Sequence, residues 1–463
     1  MIARPWTDDL PKCRNTCVAS YFSRLGGGVN STDDYLCFHC QTEDNFCLYG
    51  VFEPHNGLDA ARFIMQRMAV EILFPPPSAN SDEEIRDRLR NAFVSVEKAY
   101  IENYDGMIAE RTSLQYQFQM LTETQKLNSD ILTRLKEIDQ HLSGGTTVCI
   151  ALVHNNKLFV ANVGEPRALL CRTDDNCVLR VVQLTVDHSL NNEDELLRLK
   201  QLGLDVNKLR NSQYLGNQTG TRCLGNYLVK GLHKAFPSIS AASREPVVAA
   251  PEINGPITLD DSCRVNTSGR GEISGPGFLI LVSAGVYKRI QEAKGSSEQT
   301  NKQLAQIIVE NFRKQTNFKQ VSQSVLEEIE EEFVCYCVKN NLTPKPNTHM
   351  SLLIRNFNFL APVVSENPQG ITKNASVRFN PIVQSKSTTL LNQIDSEVYS
   401  SGTITNTNDS IVDTNRSLES NSDIYPNARQ DRDKKIKGYV DFTCYYENVA
   451  KARRNGTLPD FIE

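Results

Sequence analysis

The sequence predicts an α+β domain of stacked antiparallel sheets with helices packed outside them, and three observations carry that prediction. Strands and helices fall in separate runs rather than in strict β-α alternation, which disfavours a parallel sheet. Two β-branched, apolar runs, 146–153 and 158–163, are joined by His154-Asn155-Asn156-Lys157, a hairpin whose asparagines tolerate positive φ. After Pro362 the composition changes, which marks the end of the folded body: to residue 430 roughly two residues in five are Ser, Thr or Asn, and aromatics nearly vanish.

The elements follow in order. Cys37, His39 and Gln41 alternate with Phe38 and Cys40 as in a strand. Residues 45–52 are apolar on both faces, which suits a buried central strand, and stop at the turn-forming Glu53-Pro54-His55-Asn56-Gly57. Ala60, Phe63, Ile64, Met68, Val70 and Leu73 recur at helical intervals and predict a helix over 58–74. A second, over 81–104, opens on Ser-Asp-Glu-Glu. A third amphipathic stretch, 131–142, stops at Ser143-Gly144-Gly145, where glycine lets the backbone leave the helix. Beyond the hairpin come strands over 167–172 and 178–186, then a short helix over 192–202 with Leu196, Leu199 and Leu202 on one side. Apolar strands over 277–283 and 350–357 bracket two helices, 301–315 and 321–339. Past the linker, Tyr439, Phe442, Tyr445, Tyr446 and Val449 recur at spacings of three and four, which predicts one more helix.

The chain of 463 residues has 50 basic and 55 acidic side chains and a formal net charge of -5, so no electrostatic excess argues for nucleic acid or an anionic membrane. Its first residues lack the apolar core of a signal peptide, and no later run approaches a membrane span. A soluble, cytoplasmic protein is expected. Thirteen cysteines are an odd number without a disulfide-scaffold composition, which fits reduced thiols. Cys37 and Cys40 have C-x-x-C spacing, and Cys13 with Cys17 would complete four zinc ligands. The second pair is not itself C-x-x-C, and a buried cysteine also packs as a small hydrophobe, so both readings stay open.

Ser143-Gly144-Gly145-Thr146-Thr147, with Val160-Ala161-Asn162-Val163-Gly164-Glu165-Pro166-Arg167-Ala168 after it, resembles the core of the metal-dependent 2C-type protein phosphatases. Three further blocks stand in the family's order: Leu184-Thr185-Val186-Asp187-His188, Thr221-Arg222-Cys223-Leu224-Gly225-Asn226, and Phe278 through Gly285. The resemblance spans about residues 40–357 and implies a four-layer αββα sandwich. It also implies two divalent cations held by aspartates, which position a hydroxide for attack on a phosphate.

Each carboxylate position departs from that pattern. Glu53-Pro54-His55-Asn56-Gly57 stands where the family has Asp-Gly-His-Gly-Gly, and Glu165 where it has aspartate. Ser283-Ala284-Gly285 replaces Ser-Asp-Gly, and a methyl group cannot coordinate a metal. Lys288 follows Tyr287 in place of the Trp-Asp pair, and Thr348-His349-Met350-Ser351 replaces Asp-Asn-Met-Thr. The family's early phosphate-binding arginine motif has no counterpart. A normal two-metal site is therefore not expected, and the resemblance implies a pseudophosphatase with no cofactor. Read without the resemblance, Glu53 and Glu165 are solvated loop carboxylates, and His55 and Arg167 are structural. Residual metal binding at Glu53 and Glu165 stays open beside that reading. One competing reading is a metal-dependent Ser/Thr phosphatase working weakly through Glu53, Glu165 and Asp187; another is a domain that binds phosphoproteins without hydrolysing them, with Arg167 and Lys288 the candidate phosphate-binding cations.

Trp6-Thr7-Asp8-Asp9-Leu10-Pro11 and Tyr439-Val440-Asp441-Phe442 with Tyr445-Tyr446 resemble a pseudophosphatase branch of the family that binds TGF-beta-activated kinase through a C-terminal helix. That branch promotes kinase autophosphorylation and also contacts an inhibitor-of-apoptosis protein. The kinase-binding residues it implies are Tyr439, Val440, Asp441, Phe442, Tyr445, Tyr446 and Val449. Tyr445 departs from the branch's phenylalanine. Val377, Arg378, Phe379, Pro381 and Ile382 resemble the place where it docks a stress-activated MAP kinase, and they read equally as an apolar island in a linker. The physical case for the helix is independent: Tyr439, Phe442 and Tyr446 share a face, and so short a helix is marginal in water without a groove to fill. The expected organisation is an N-terminal extension over 1–39, a pseudophosphatase domain over 40–361, a disordered linker over 362–430 and a kinase-binding segment over 431–463.

Overall fold

The computed structural model describes residues 7, 10–23, 36–42, 46–74, 81–121, 130–173, 178–259, 277–294, 299–315, 317–343, 348–359 and 378–379. All lie in one compact unit, Met1–Ser387. Apart from 378–379, the linker read over 362–430 lies outside the described residues, as does the segment 431–463.

The strands are β1 (Thr16–Ser23), β2 (Cys37–Gln41), β3 (Cys47–His55), β4 (Gly145–His154), β5 (Lys157–Val163), β6 (Arg167–Thr173), β7 (Val178–Gln183), β8 (Leu224–Gly225), β9 (Glu252–Thr258), β10 (Gly277–Val282), β11 (Thr348–Phe357) and β12 (Arg378–Phe379). The α-helices are α1 (Asp59–Leu73), α2 (Asp82–Glu102), α3 (Asp105–Met120), α4 (Asp130–Leu142), α5 (Glu193–Gln201), α6 (Val206–Arg210), α7 (Tyr227–Lys230), α8 (Ala284–Lys294), α9 (Thr300–Lys314) and α10 (Val321–Lys339). Among the described residues one sheet runs β1-β11-β10-β6-β7-β12 and the other β2-β3-β4-β5-β9, with β8 beside β4. The ladders are antiparallel except for the two-residue pairing of β12 with β7.

Side-chain alternation along the strands makes the layers. Tyr49 and Val51 of β3 meet Cys149 and Ala151 of β4, and Leu279 and Leu281 of β10, between the sheets. Leu48, Phe52, Ile150 and Leu152 point the other way, under α1 and α2. Phe278, Ile280 and Val282 face α8, α9 and α10 on the far side. The result is an αββα sandwich, each fully buried Leu, Val, Ile or Phe contributing about 1.5–3 kcal/mol of transfer free energy. A satellite cluster of Leu196, Leu199, Leu209, Val229 and Ile239 holds the excursion between β7 and β9.

Local signals are used as their chemistry dictates. Asn155 and Asn156 adopt φ of 50° and 56° in the β4–β5 hairpin. Ser81 caps α2 by accepting the Glu84 amide, and Asn192 caps α5. Two expectations are corrected, and one helix was missed. Residues 16–23, placed in an N-terminal extension, form a full strand paired from Thr16↔Arg355 to Ser23↔Thr348. The strand read over 45–52 does not end before Glu53: β3 continues through Pro54 to His55, paired with Gly145, and the turn comes at Asn56 and Gly57, whose φ are positive. Helix α3 was not legible because none of its residues is buried. Ion pairs tie it to α4 instead, Arg111 to Asp139 at 2.5 Å and Arg134 to Glu110 at 2.7 Å.

Candidate functional site

The site is built where β3 passes the start of α8. Ser283 leaves β10 with its Oγ accepting the Ser351 amide at 2.9 Å. Gly285 lets α8 begin against β11, since a Cβ there would stand 2.0 Å from the His349 carbonyl oxygen. Glu53 lies across this point. Its Oε2 accepts the Ala284 amide at 2.9 Å and its Oε1 the Gly285 amide at 3.0 Å. These are among the N–H groups that a helix leaves unsatisfied at its start, where a negative charge is favoured. Burial pushes the Glu53 carboxyl above the usual carboxylate range, with Lys288 and the two amides pulling it back.

Glu165 follows Gly164, whose φ is +93° and whose amide is accepted by Nδ1 of buried His188 at 3.0 Å. Burial takes the His188 imidazole down to about 3. From α8, the Lys288 ammonium donates to Glu165 Oε2. The lysine side chain is 44% exposed and the glutamate 15%. Burial opposes the ammonium charge, but the adjacent Glu165 carboxylate outweighs it, and the Lys288 pKa is raised, with Glu53 and Asp187 adding to the effect. Tyr287 donates its hydroxyl to the Glu165 carbonyl at 3.0 Å.

Arg167 and Asp187 are engaged with each other. The guanidinium reaches Asp187 Oδ2 from Nη2 at 2.6 Å, donates to Asn301 at 2.9 Å, and lies 3.7 Å from the centre of the Tyr287 ring. Thr348 Oγ1 accepts from Arg289 Nη2 at 3.0 Å. Arg289 is itself buried, 3.5 Å from Glu330 and over the Phe333 ring. His55 sits inside at the end of β3 with its Nε2 buried and without a hydrogen-bond partner. Burial, assisted by Lys230, takes its imidazole down to about 4.

The structure therefore brings Glu53, Glu165, Ala284 and Lys288 together around the start of α8, with Thr348 at the adjoining strand. Neither glutamate is a solvated loop carboxylate: Glu53 lies within β3, and Glu165, in the turn between β5 and β6, is largely buried against Lys288 of α8. Arg289 and His188 went unassigned in the sequence. The signal for Arg289 was a cation between Val286 and Ile290 on the apolar face of a helix, which requires a buried acid opposite. The four candidate zinc cysteines part company. Cys17 lies under α10 beside Ser322, Cys13 and Cys37 between the sheets, and Cys40 on the α1 side. A cavity of about 250 Å³ opens beside Asn56, lined by Asp59, Tyr100, Tyr104, Glu137 and His141, and none of the metal-position residues borders it. Tyr439, Val440, Asp441, Phe442, Tyr445, Tyr446 and Val449 lie outside the described residues, as do Val377, Pro381 and Ile382. Arg378 and Phe379 pair with the edge of β7.

An αββα sandwich whose sheets converge on this cleft defines a class, and residues 30–329 match the protein phosphatase 2C family. The chain belongs to that family. It is 24% identical over 277 residues to the TGF-beta-activated kinase 1 and MAP3K7-binding protein 1 of Caenorhabditis elegans, covering 59% of this chain and 62% of that protein. It is 25% identical over 232 residues to a probable protein phosphatase 2C of Paramecium tetraurelia, covering 50% of this chain and 64% of that one. The chain thus spans a little under two thirds of the length of these relatives. Among solved structures, a serine-threonine phosphatase 2C from Toxoplasma gondii superposes with a TM-score of 0.42 at 12% identity, covering 75% of this chain and 98% of that one.

The residues present do not fit the pair of divalent cations that the fold family implies. Both Glu53 oxygens accept from amides, Glu165 Oε2 from an ammonium and Thr348 from a guanidinium, and Ala284 offers no side-chain oxygen. Among the described residues no group of three or more His, Cys, Asp or Glu side chains is placed to hold a metal.

Proposed function

We propose that the protein is a noncatalytic member of the family, an adaptor that binds TGF-beta-activated kinase and promotes its autophosphorylation in cytoplasmic stress, cytokine and innate immune signalling. The observation that carries the noncatalytic half is the pairing of Lys288 with Glu165 beside a Glu53 already spent on the α8 amides, since magnesium demands a nearly ideal octahedron of free oxygens. The adaptor half is supported by the similarity to the C. elegans protein, whose name states kinase binding, and by the aromatic spacing of Tyr439, Phe442 and Tyr446. A helix presenting such a face docks in a hydrophobic groove, with the large aromatics as anchors. Replacing Tyr439 and Phe442 with alanine removes co-precipitation of the kinase while the melting temperature stays unchanged; undiminished capture contradicts the proposal.

The second reading, a metal-dependent Ser/Thr phosphatase of low activity, draws on the phosphatase names of other relatives and on the retained acids Glu53, Glu165 and Asp187. It requires turnover that depends on Glu53. The family resemblance adds two further proposed contacts, a stress-activated MAP kinase at Val377, Arg378, Phe379, Pro381 and Ile382 and an inhibitor-of-apoptosis protein on the folded domain.

A further inference from the structure

We propose that the Lys288 ammonium is a built-in counter-ion that takes the charge-balancing place of a metal in this cleft and keeps divalent cations out of it. The inference rests on reading the cleft as catalytically disabled and goes beyond it by assigning the exclusion to one side chain. Three acids lie within electrostatic reach of Lys288: Glu165 in direct contact, then Glu53 and Asp187. Two of these already have other donors, the α8 amides for Glu53 and the Arg167 fork for Asp187. Glu165 has its side-chain oxygen on Lys288, and its backbone carbonyl takes the Tyr287 hydroxyl from the same turn of α8.

The helix start and the lysine thus act as a unit. The amides neutralise the inner carboxylate and the ammonium, one turn along, neutralises the outer one. Because the lysine is tethered to the helix, its local concentration is fixed by the fold, whereas a free cation must also displace it to reach Glu165. With the side chain 44% exposed, the vacated position would open to solvent rather than collapse, so a hydrated divalent ion has room and a carboxylate to meet.

The test uses the full-length protein and Mn²⁺ alone as the probe, with melting temperature as the readout. Wild type and Lys288→Arg keep the same melting temperature across a Mn²⁺ titration and in chelator. Lys288→Met melts lower, and Mn²⁺ restores about 2–4 °C in a saturable manner. The double variant Glu165→Gln/Lys288→Met, in which the unbalanced carboxylate is gone, shows no Mn²⁺ response. Should Lys288→Met fail to fold, Lys288→Gln, which keeps a polar tip on the exposed stem, replaces it in the same titration. Equal Mn²⁺ responses in wild type and the neutral variants overturn the proposal, as does a neutral variant that ignores Mn²⁺. Mn²⁺-dependent phosphatase turnover by wild type overturns the noncatalytic reading instead, so the two failures are distinguishable.

Discussion

Glu53 acts on α8 as a capping side chain acts on an ordinary helix, except that it arrives from another strand. Glu53→Ala removes two charge-assisted hydrogen bonds from a helix start, and we expect a loss of about 1–3 kcal/mol, read as a lower urea midpoint with an unchanged m-value. His188 supplies a pH-dependent term. Its folded pKa of about 3 lies below the unfolded value, so the unfolded chain binds the extra proton. Its contribution is intact above roughly pH 6.5 and is lost as pH falls toward 3, by up to about 5 kcal/mol. Glu53, whose carboxyl is raised by burial, works in the opposite sense and softens the acid limb. His188→Asn keeps an acceptor for the Gly164 amide and flattens the slope of stability against pH between 6.5 and 4; an unchanged slope contradicts the assignment. At this scale the sequence made the missing oxygens of Ala284 and Thr348 legible, because they follow from residue identity. The new partners were not, since Lys288 and Glu165 are 123 positions apart and meet only when the β5–β6 turn and α8 are packed.

At the level of elements, α8 depends on Gly285 for its approach to β11. Gly285→Ala places a methyl 2.0 Å from a backbone carbonyl that cannot rotate away, and we expect a loss beyond about 2 kcal/mol, seen as a sharply lower melting temperature or loss of soluble protein. The strands around the hairpin were legible because period-2 alternation, β-branching and two asparagines agree. The helices α1, α2, α9 and α10 were legible because each carries a long buried stripe. Elements lacking such consistency escaped: α3 buries nothing, and β1 alternates small Cys17 and Ala19 against Val18 and Ser20, a faint apolar signal. The run through Glu53 to His55 reads as a turn because proline and glycine punctuate it. Its strand character comes from β4, whose register holds all three residues.

The whole molecule keeps the sandwich of its family while the charges at its cleft are satisfied from within. Helix amides, a lysine and two arginines pair with Glu53, Glu165, Asp187 and Thr348 around α8. In the proposed adaptor role, contacts with partners fall to surfaces away from α8, with the aromatic segment around Phe442 the proposed contact with the kinase. The most direct test of the central claim is turnover of a phosphopeptide by purified full-length protein across a Mn²⁺ series, with Glu53→Ala in parallel. The account predicts that both proteins release phosphate at the rate of the enzyme-free control; Mn²⁺-stimulated release by wild type that Glu53→Ala abolishes would contradict it.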